Sequence, residues 1–590
     1  MRPPVSISSR MVLVASLLVL LAGCKDKSKP GLEGKQAPKD LPVSDLHFSD
    51  VTQTTGIDAI YTNDESAGHR SIVESLGGGV AVLDFDLDGS LDLLFAGGGQ
   101  LVANKPPTGA NTTLWRQSAP FRYSNVTNAA TFSPPKMYSH GIAAADFDND
   151  GFTDVLITGY GGLQLLCNQG DGTFIERTHA VGLDDDGWST SAAWFDLEGD
   201  GDLDLYITHY VDWSWQNHPT CPASVAGLND ICSPNDFAPL PDLIYVNNGA
   251  GTFQPRTLEQ GLESDGKGLG VVAAHLNQDN DIDLYVANDT RNNFLYLNTP
   301  HGRLQEVGLI SGTAVDADGT PNGSMGLAVF DYDNNLTPDI WVTNYENETC
   351  ALYQNTGDAN FLWGTKRAGI NALGKLFVSF GTVAGDFDCD GDEDLVVANG
   401  HIMLHPRNSN LAQEAILLEN HLRNRHSEKN EGKFVRVSPP ASNYFSEPHR
   451  GRGVVAADLD SDGDLDLAFS NVNEHAAILR NDSPSRGKNL SLRLVGRANN
   501  RDAIGSRLIL HTTKSSYLRQ VVGGGSYLSQ NPYTVHFGIP AGERFESLEI
   551  IWPDGSTRIV DHLDPSEDPH LVIESIRSSA KMEEVSDVDE

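Results

Sequence analysis

Asp84–Asp92 reads DFDLDGSLD, and its carboxylates stand at positions 1, 3, 5 and 9: Asp84, Asp86, Asp88 and Asp92. Gly89 occupies position 6, where a sharp turn favours a residue without a Cβ. Alternate acidic side chains closing around a glycine turn aim hard oxygens at one point. Calcium takes about six to eight such oxygens in a flexible shell. The flanks, GGGVAVL before and LDLLFA after, are apolar and mark a buried strand on each side.

The pattern returns six times. DFDNDGFTD offers Asp146, Asp148, Asp150 and Asp154, and DLEGDGDLD offers Asp196, Glu198, Asp200 and Asp204. HLNQDNDID keeps Asp279 and Asp283, and DYDNNLTPD offers Asp331, Asp333, Asn335 and Asp339. DFDCDGDED offers Asp386, Asp388, Asp390 and Asp394, and DLDSDGDLD offers Asp458, Asp460, Asp462 and Asp466. The copies lie about 62 residues apart, which is the signature of an array. An EF-hand needs a bidentate Glu at position 12 and flanking helices; position 12 is apolar in every copy, from Phe95 to Phe469. One copy alone would read as an Asp-Gly turn between strands. Position 9 is Asp throughout, and a turn gives that carboxylate no task, so the loops read as metal sites.

Of the 590 residues, 39% are hydrophobic and 21% charged, a globular composition. The net charge of −39 argues against nucleic acid or an anionic membrane surface as partner. The metal positions alone hold 25 of the carboxylates.

Residues 1–23 read as a signal peptide: Arg2 and Arg10, then the run MVLVASLLVLLA, too short to span a membrane. Leu21-Ala22-Gly23-Cys24 looks like a bacterial lipobox, so Cys24 is expected to carry lipid and anchor the chain in the cell envelope, at the outer membrane or cell surface. Residues 24–44 form a polar Pro- and Gly-containing tether.

Each unit also has a tail of the form LYxNxGxGxF, clearest in LLCNQGDGTF and LIYVNNGAGTF. Its Asn-Gly and Asp-Gly pairs signal hairpins, giving about four short strands per unit. FSDVTQTTGI (48–57) is a tail strand without its LYxN, and AILRND (477–482) is the reverse. Each end supplies what the other lacks, as a closed ring requires. The expected fold is all-β: a seven-bladed β-propeller over 45–486, followed by a small antiparallel β domain over 487–576 and an acidic tail over 577–590.

Two insertions stand out. VDWSWQNHPTCPASVAGLNDICSPNDFAPLPDL (211–243) holds Cys221 and Cys232, a pair expected to form a disulfide after export. Trp213 and Trp215 read as a surface for a sugar or partner, or equally as a local clasp. Residues 401–434 carry His401, His405, His421 and His426, scattered as on a polar surface, and a short helix is expected over 411–422.

The repeated GVAxxDxDxDGxxDL with LYxNxGxGxF resembles FG-GAP/VCBS repeats, the units of the integrin α propeller, whose acidic loops share one face and bind calcium. That resemblance implies weaker sites in the fourth unit, where His275 and Asn277 replace acids, and in the fifth, with Asn335 and no glycine. Ala503-Ile504-Gly505-Ser506, Gly525-Ser526-Tyr527-Leu528-Ser529-Gln530, His536-Phe537-Gly538 and Trp552-Pro553-Asp554-Gly555 resemble the ASPIC/UnbV domain. The combination is similar to the cartilage acidic protein family and its bacterial relatives. No GxSxG, HExxH or Walker sequence is present. The function expected is a calcium-binding surface lipoprotein recognising a protein or glycan, as in cell adhesion. A polysaccharide-active enzyme, or a structural or assembly lipoprotein of the envelope, is the alternative.

Overall fold

The computed structural model describes residues 44–256, 261–300, 302–373, 375–422, 433–437, 444–497, 499–563 and 570–574. The signal peptide, Cys24 and the acidic tail lie outside the described residues, as does His426. Every acidic loop joins the first two strands of an antiparallel sheet of four strands, five in the fourth. Sheet 1 consists of Val80–Leu83, Asp92–Phe95, Thr113–Ala119 and Arg122–Asn125. Sheets 2 to 7 begin with Tyr138–Ala145, Ser189–Phe195, Gly268–Ala274, Leu327–Phe330, Ser379–Gly385 and Gly451–Ala457. These first strands are rich in Ala, Val and Gly and pack beside one another around the centre. Five of them, in sheets 2, 3, 4, 6 and 7, carry a register shift near their start, a device that raises local twist. The second strands are buried apart from the half-buried Tyr160, whereas the outer strands mix buried with half-buried or exposed residues.

The ring closes as the complementary ends require. Phe48–Asp50 pairs antiparallel with Ala477–Asn481, setting Phe48 opposite Asn481 and Asp50 opposite Leu479. The first strand among the described residues thereby becomes the outer strand of sheet 7.

The segment expected to be a helix over 411–422 is strand instead: Gln413–Glu414 and Ile416–Asn420. ILLEN is the sixth unit's LYxN strand, and its sheet neighbours outweigh the helical propensity of Leu and Glu. The insertion at 211–243 is closed by a Cys221–Cys232 disulfide with Cα atoms 5.3 Å apart. Trp213 is buried and packs edge-on against Tyr160 and Trp215, both at 5.2 Å, while Trp215 meets His69 at 5.1 Å. The clasp reading of the two tryptophans therefore holds.

Among the described residues the C-terminal domain has two sheets. Ser516–Gln520, Arg507–Thr512, Phe545–Ile551 and Thr557–Val560 form one. In the other, Gly487–Val495 pairs antiparallel with Val535–Pro540 but parallel with His570–Ile573, so the domain is not purely antiparallel.

Between these sheets the chain makes an excursion over 523–533 into the axis of the ring, touching the first strand of all seven sheets. Gly523–Gly524 extends sheet 4 beside Val272 and Ala273. Ser526 exchanges backbone hydrogen bonds with Leu327 of sheet 5 at 2.7 and 2.8 Å, and its hydroxyl donates to the Val454 carbonyl of sheet 7 at 2.7 Å. The Tyr527 ring meets Phe380 of sheet 6 at 5.0 Å. Leu528 accepts from the Ile142 amide of sheet 2 at 3.0 Å and donates to the Ser191 hydroxyl of sheet 3 at 3.2 Å. Gln530 bridges Val80 and Val82 of sheet 1. A Cβ on Gly523 would lie 2.0 Å from the Trp194 carbonyl oxygen, and one on Gly79 would lie 1.5 Å from that of Leu528, so only glycine fits at either place. The excursion contains Gly525–Gln530, one of the stretches that resemble the ASPIC/UnbV domain.

Candidate metal centres

The loop shape follows from its sequence. Position 1 receives the backbone N–H groups of positions 5 and 6, as when Asp84 accepts from Asp88 at 3.1 Å and Gly89 at 3.0 Å. Asp196, Asp331, Asp386 and Asp458 repeat both bonds. Positions 4 and 6 are left-handed: Leu87 and Gly89, Asn149 and Gly151, Gly199 and Gly201, Cys389 and Gly391, Ser461 and Gly463. The fifth loop keeps this shape without glycine, Leu336 taking φ 64°.

Several acidic clusters could hold a metal ion. Oxygens of Asp84, Asp86 and Asp92 lie within 4.8 Å of one another, as do those of Asp146, Asp148 and Asp154, of Asp331, Asp333 and Asp339, and of Asp386, Asp388 and Asp390. Burial pushes Asp92 up to about 8, Asp146 and Asp331 to about 7, and Asp386 and Asp388 to about 8, with neighbouring carboxylates adding to the effect. Single buried oxygens of Asp86, Asp146, Asp154, Asp333, Asp394 and Asp460 have no hydrogen-bond partner. Carboxylates buried together with unmatched oxygens are the donor set a hard dication satisfies, so the residues fit the ion.

Not every candidate faces a cluster in the same way. Glu198 is bound by Arg256. Arg116 reaches Asp86 at 2.5 Å and Asp88 at 2.9 Å, and Arg486 reaches Asp388 at 2.8 Å and Asp390 at 3.5 Å. In the fourth loop Asp279 is engaged by Asn277. His275, at that loop's position 1, contacts the Gly505 carbonyl at 2.8 Å, and its backbone N–H donates to Gln520 at 2.9 Å. The fourth loop has exchanged its first carboxylate for a contact with the C-terminal domain. The buried Cys389 meets Asp464, consistent with a packing role.

Position 9 needs a different account from the one its recurrence suggested. Asp204 accepts from Leu197 N–H at 2.7 Å and Asn247 N–H at 2.8 Å, and Asp92, Asp283, Asp339 and Asp466 make the same two bonds. Asp154 and Asp394 make the second. These carboxylates pin each loop to its own third strand whether or not an ion is bound, so their recurrence is not by itself evidence of metal. The sequence reading also missed the next link. The Asn of each LYxN tail donates to the loop carbonyl of the preceding sheet: Asn168 to Phe85, Asn247 to Phe147, Asn298 to Leu197, Asn355 to Leu276, Asn420 to Tyr332 and Asn481 to Phe387. The recurring Asn in the tails was its signal.

The C-terminal domain rests on this acidic face. Asp502 accepts from the Asp146 N–H at 2.8 Å and pairs with Arg493 at 2.9 Å, while Arg501 lies 3.3 Å from Asp146. Arg519 meets Glu393 at 3.1 Å, and His536 contacts the Gly463 carbonyl at 3.0 Å.

Within this architecture, acidic-loop sheets in a ring with a β domain on the loop face, FG-GAP-like repeats and an ASPIC and UnbV domain are found. Residues 84–157, 146–207 and 275–342 match the FG-GAP-like repeat model, and residues 496–577 match the ASPIC and UnbV model. Among curated proteins, cartilage acidic protein 1 of Xenopus tropicalis is 26% identical over 493 residues, covering 72% of this chain and 71% of the relative. Its Mus musculus counterpart is 25% identical over 522 residues, covering 84% and 73%. A solved Agrocybe aegerita lectin, described as recognising non-reducing terminal N-acetylglucosamine, is 15% identical, covers 73% of this chain and 97% of its own, and has a TM-score of 0.38.

Proposed function

We propose that this chain is an exported, lipid-anchored binding scaffold of the bacterial cell envelope whose acidic loops take calcium and whose propeller recognises a protein or glycan partner. The observation that carries the calcium reading is the set of buried, partnerless oxygens inside the carboxylate clusters, notably Asp86, Asp146, Asp154 and Asp333. The mechanism is rigid presentation. Ions fix the loops, the loops fix the C-terminal domain, and the opposite face with its two insertions is left for contact. The FG-GAP-like repeats and the non-enzyme name of the curated relatives support a binding role over a catalytic one.

A glycan and envelope-protein binding screen of residues 45–576, with and without calcium, tests the reading. Calcium-dependent capture of a partner is expected; no capture in either condition overturns it. Anchoring is tested separately. Cys24→Ser is expected to move the protein from the membrane to the soluble fraction, and membrane-bound mature protein in that variant removes the lipobox.

A further inference from the structure

The excursion over 523–533 fills the axis only from the acidic face. Tyr527 ends it, its hydroxyl donating to the Leu76 carbonyl at 3.2 Å. Beyond lies a cavity of about 630 Å³ at the other end of the axis, within the usual range of about 300–1,000 Å³ for small-molecule sites. Its apolar floor includes Leu76, Leu269, Met325 and Phe380.

The two insertions roof it. Asp230, on the disulfide-closed arm of sheet 3, accepts from the backbone N–H of Leu404 at 2.9 Å and of His405 at 2.8 Å, both on the sheet 6 insertion. The Ser224 hydroxyl donates to the His405 carbonyl, and Cys232 itself lines the space. Two loops from distant sheets thus meet over one half-open cavity, whereas the sequence had suggested separate surface features. His401, expected on a polar surface, is 0% exposed at its wall.

The chemistry of the wall is mixed. His401 Nδ1 accepts from the Met403 N–H at 2.8 Å, so the proton of the neutral ring lies on Nε2. Burial keeps this imidazole neutral by lowering its pKa. Nε2 has no hydrogen-bond partner, Glu346 being 3.5 Å away. With its proton on Nε2, the ring offers the cavity a donor and not a metal-ligating lone pair. Three carboxylates supply acceptors. Asp289 holds the Tyr210 hydroxyl at 2.5 Å, Glu346 holds Ser409 at 3.0 Å, and Glu348 holds the Gly323 N–H at 2.8 Å.

Charge narrows the ligand. Against the three acids stand Arg407 in the lining, Lys267 bonded to the lining Pro234 carbonyl at 2.7 Å, and Arg452 directly behind the wall. Arg452 lies 4.0 Å over the Phe380 ring and reaches the His401 carbonyl at 3.5 Å. An ammonium group would meet Arg452 through the wall, and an anion would meet three carboxylates. A hydroxyl suits both sides, accepting from His401 Nε2 while donating to Glu346, and a ring with C–H faces suits the Tyr345 and Phe380 surfaces.

We infer that this axial cavity is the binding site for a neutral polyhydroxylated ring, a free sugar or the terminal residue of a glycan. The inference rests on the binding-scaffold reading and deepens it.

The test is saturation-transfer NMR on the full chain in calcium, using glucose, galactose, mannose and N-acetylglucosamine, with ethanolamine and phosphate as charged controls. At least one neutral sugar is expected to bind. Glu346→Gln should weaken it by tenfold or more, Met403→Trp, which fills the cavity, should abolish it, and Ile310→Ala, at an exposed residue outside the lining, should leave it unchanged. If Met403→Trp fails to fold, Glu346→Gln decides. A disaccharide arm, reducing-end linked to a bead, separates a free sugar from a glycan terminus. Absence of any sugar signal with folded wild type, or binding of a charged control alone, overturns the inference. Sugar binding unchanged in both cavity variants overturns the site but leaves glycan recognition standing, and a protein captured in the screen without any sugar signal leaves the scaffold function standing.

Discussion

The side-chain amide of Gln117, on the third strand of sheet 1, donates to the carbonyl of Leu459 in the acidic loop of sheet 7 at 2.6 Å. Six asparagines make the corresponding bond elsewhere, so this glutamine completes an unbroken circuit of side-chain bonds, each sheet holding the loop of the one before it. Closure is therefore written twice, once in the Phe48–Asp50 strand and once in this circuit.

The circuit works without metal. Asn298→Ala removes a buried donor at 2.8 Å from Leu197 and leaves that carbonyl unmatched. The expected cost is about 1–3 kcal/mol, equal in calcium and in chelator, read from denaturant midpoints.

On the proposed calcium reading, the ion binds the folded loops and hardly the unfolded chain, and so is expected to stabilise the fold. Millimolar calcium should raise the melting temperature, chelator should lower it, and magnesium should substitute poorly because it demands a tighter octahedral shell. Asp462→Ala should blunt the response. His275→Ala should lower stability through the lost Gly505 contact while leaving the calcium response intact. A wild type indifferent to calcium and chelator would sink the metal assignment.

The pH dependence has a definite sign. Burial raises Asp92, Asp204 and Asp283 to about 8, whereas unfolded aspartates titrate near 4. In chelator the folded chain binds more protons across that window, so stability falls as pH rises from about 4 to about 8 and levels off above. Calcium should suppress the decline by replacing the protons. Glu74, also raised to about 8 by burial, lies outside the loops. Glu74→Gln should therefore gain stability relative to wild type at pH 9 compared with pH 6, with calcium present, as measured by thermal melts.

Deleting residues 45–57 exposes the edge of sheet 7. It should lower the melting temperature far more than deleting the tail from Lys581, and equal values would argue against closure by this strand.

The axial excursion ties both domains into one cooperative unit. Tyr527→Ala, at a fully buried ring, should cost about 3–5 kcal/mol, and calorimetry of the wild type should show one transition. Two transitions would mean that the C-terminal domain only rests on the ring.

The sheets were legible because each acidic loop sits between apolar strands, and the Cys221–Cys232 pair was legible from its loop. What escaped had non-local causes. Ile416–Asn420 carries helix-forming residues and becomes a strand only through its neighbours. Gly523–Tyr533 has no periodicity, and its partners are backbone groups, hydroxyls and an aromatic ring on seven strands up to about 450 residues away. His275 looked like a degraded ligand because the residue it serves, Gly505, lies in another domain.

Tyr527 is synthesised after all seven sheets. Until it arrives, the innermost strands surround an open, partly apolar bore, and any chain cut short before it keeps that bore open. The plug of the ring is thus supplied from outside the ring's own stretch of sequence: a chain that stops before Tyr527 is left exposed to proteases and aggregation along its own axis.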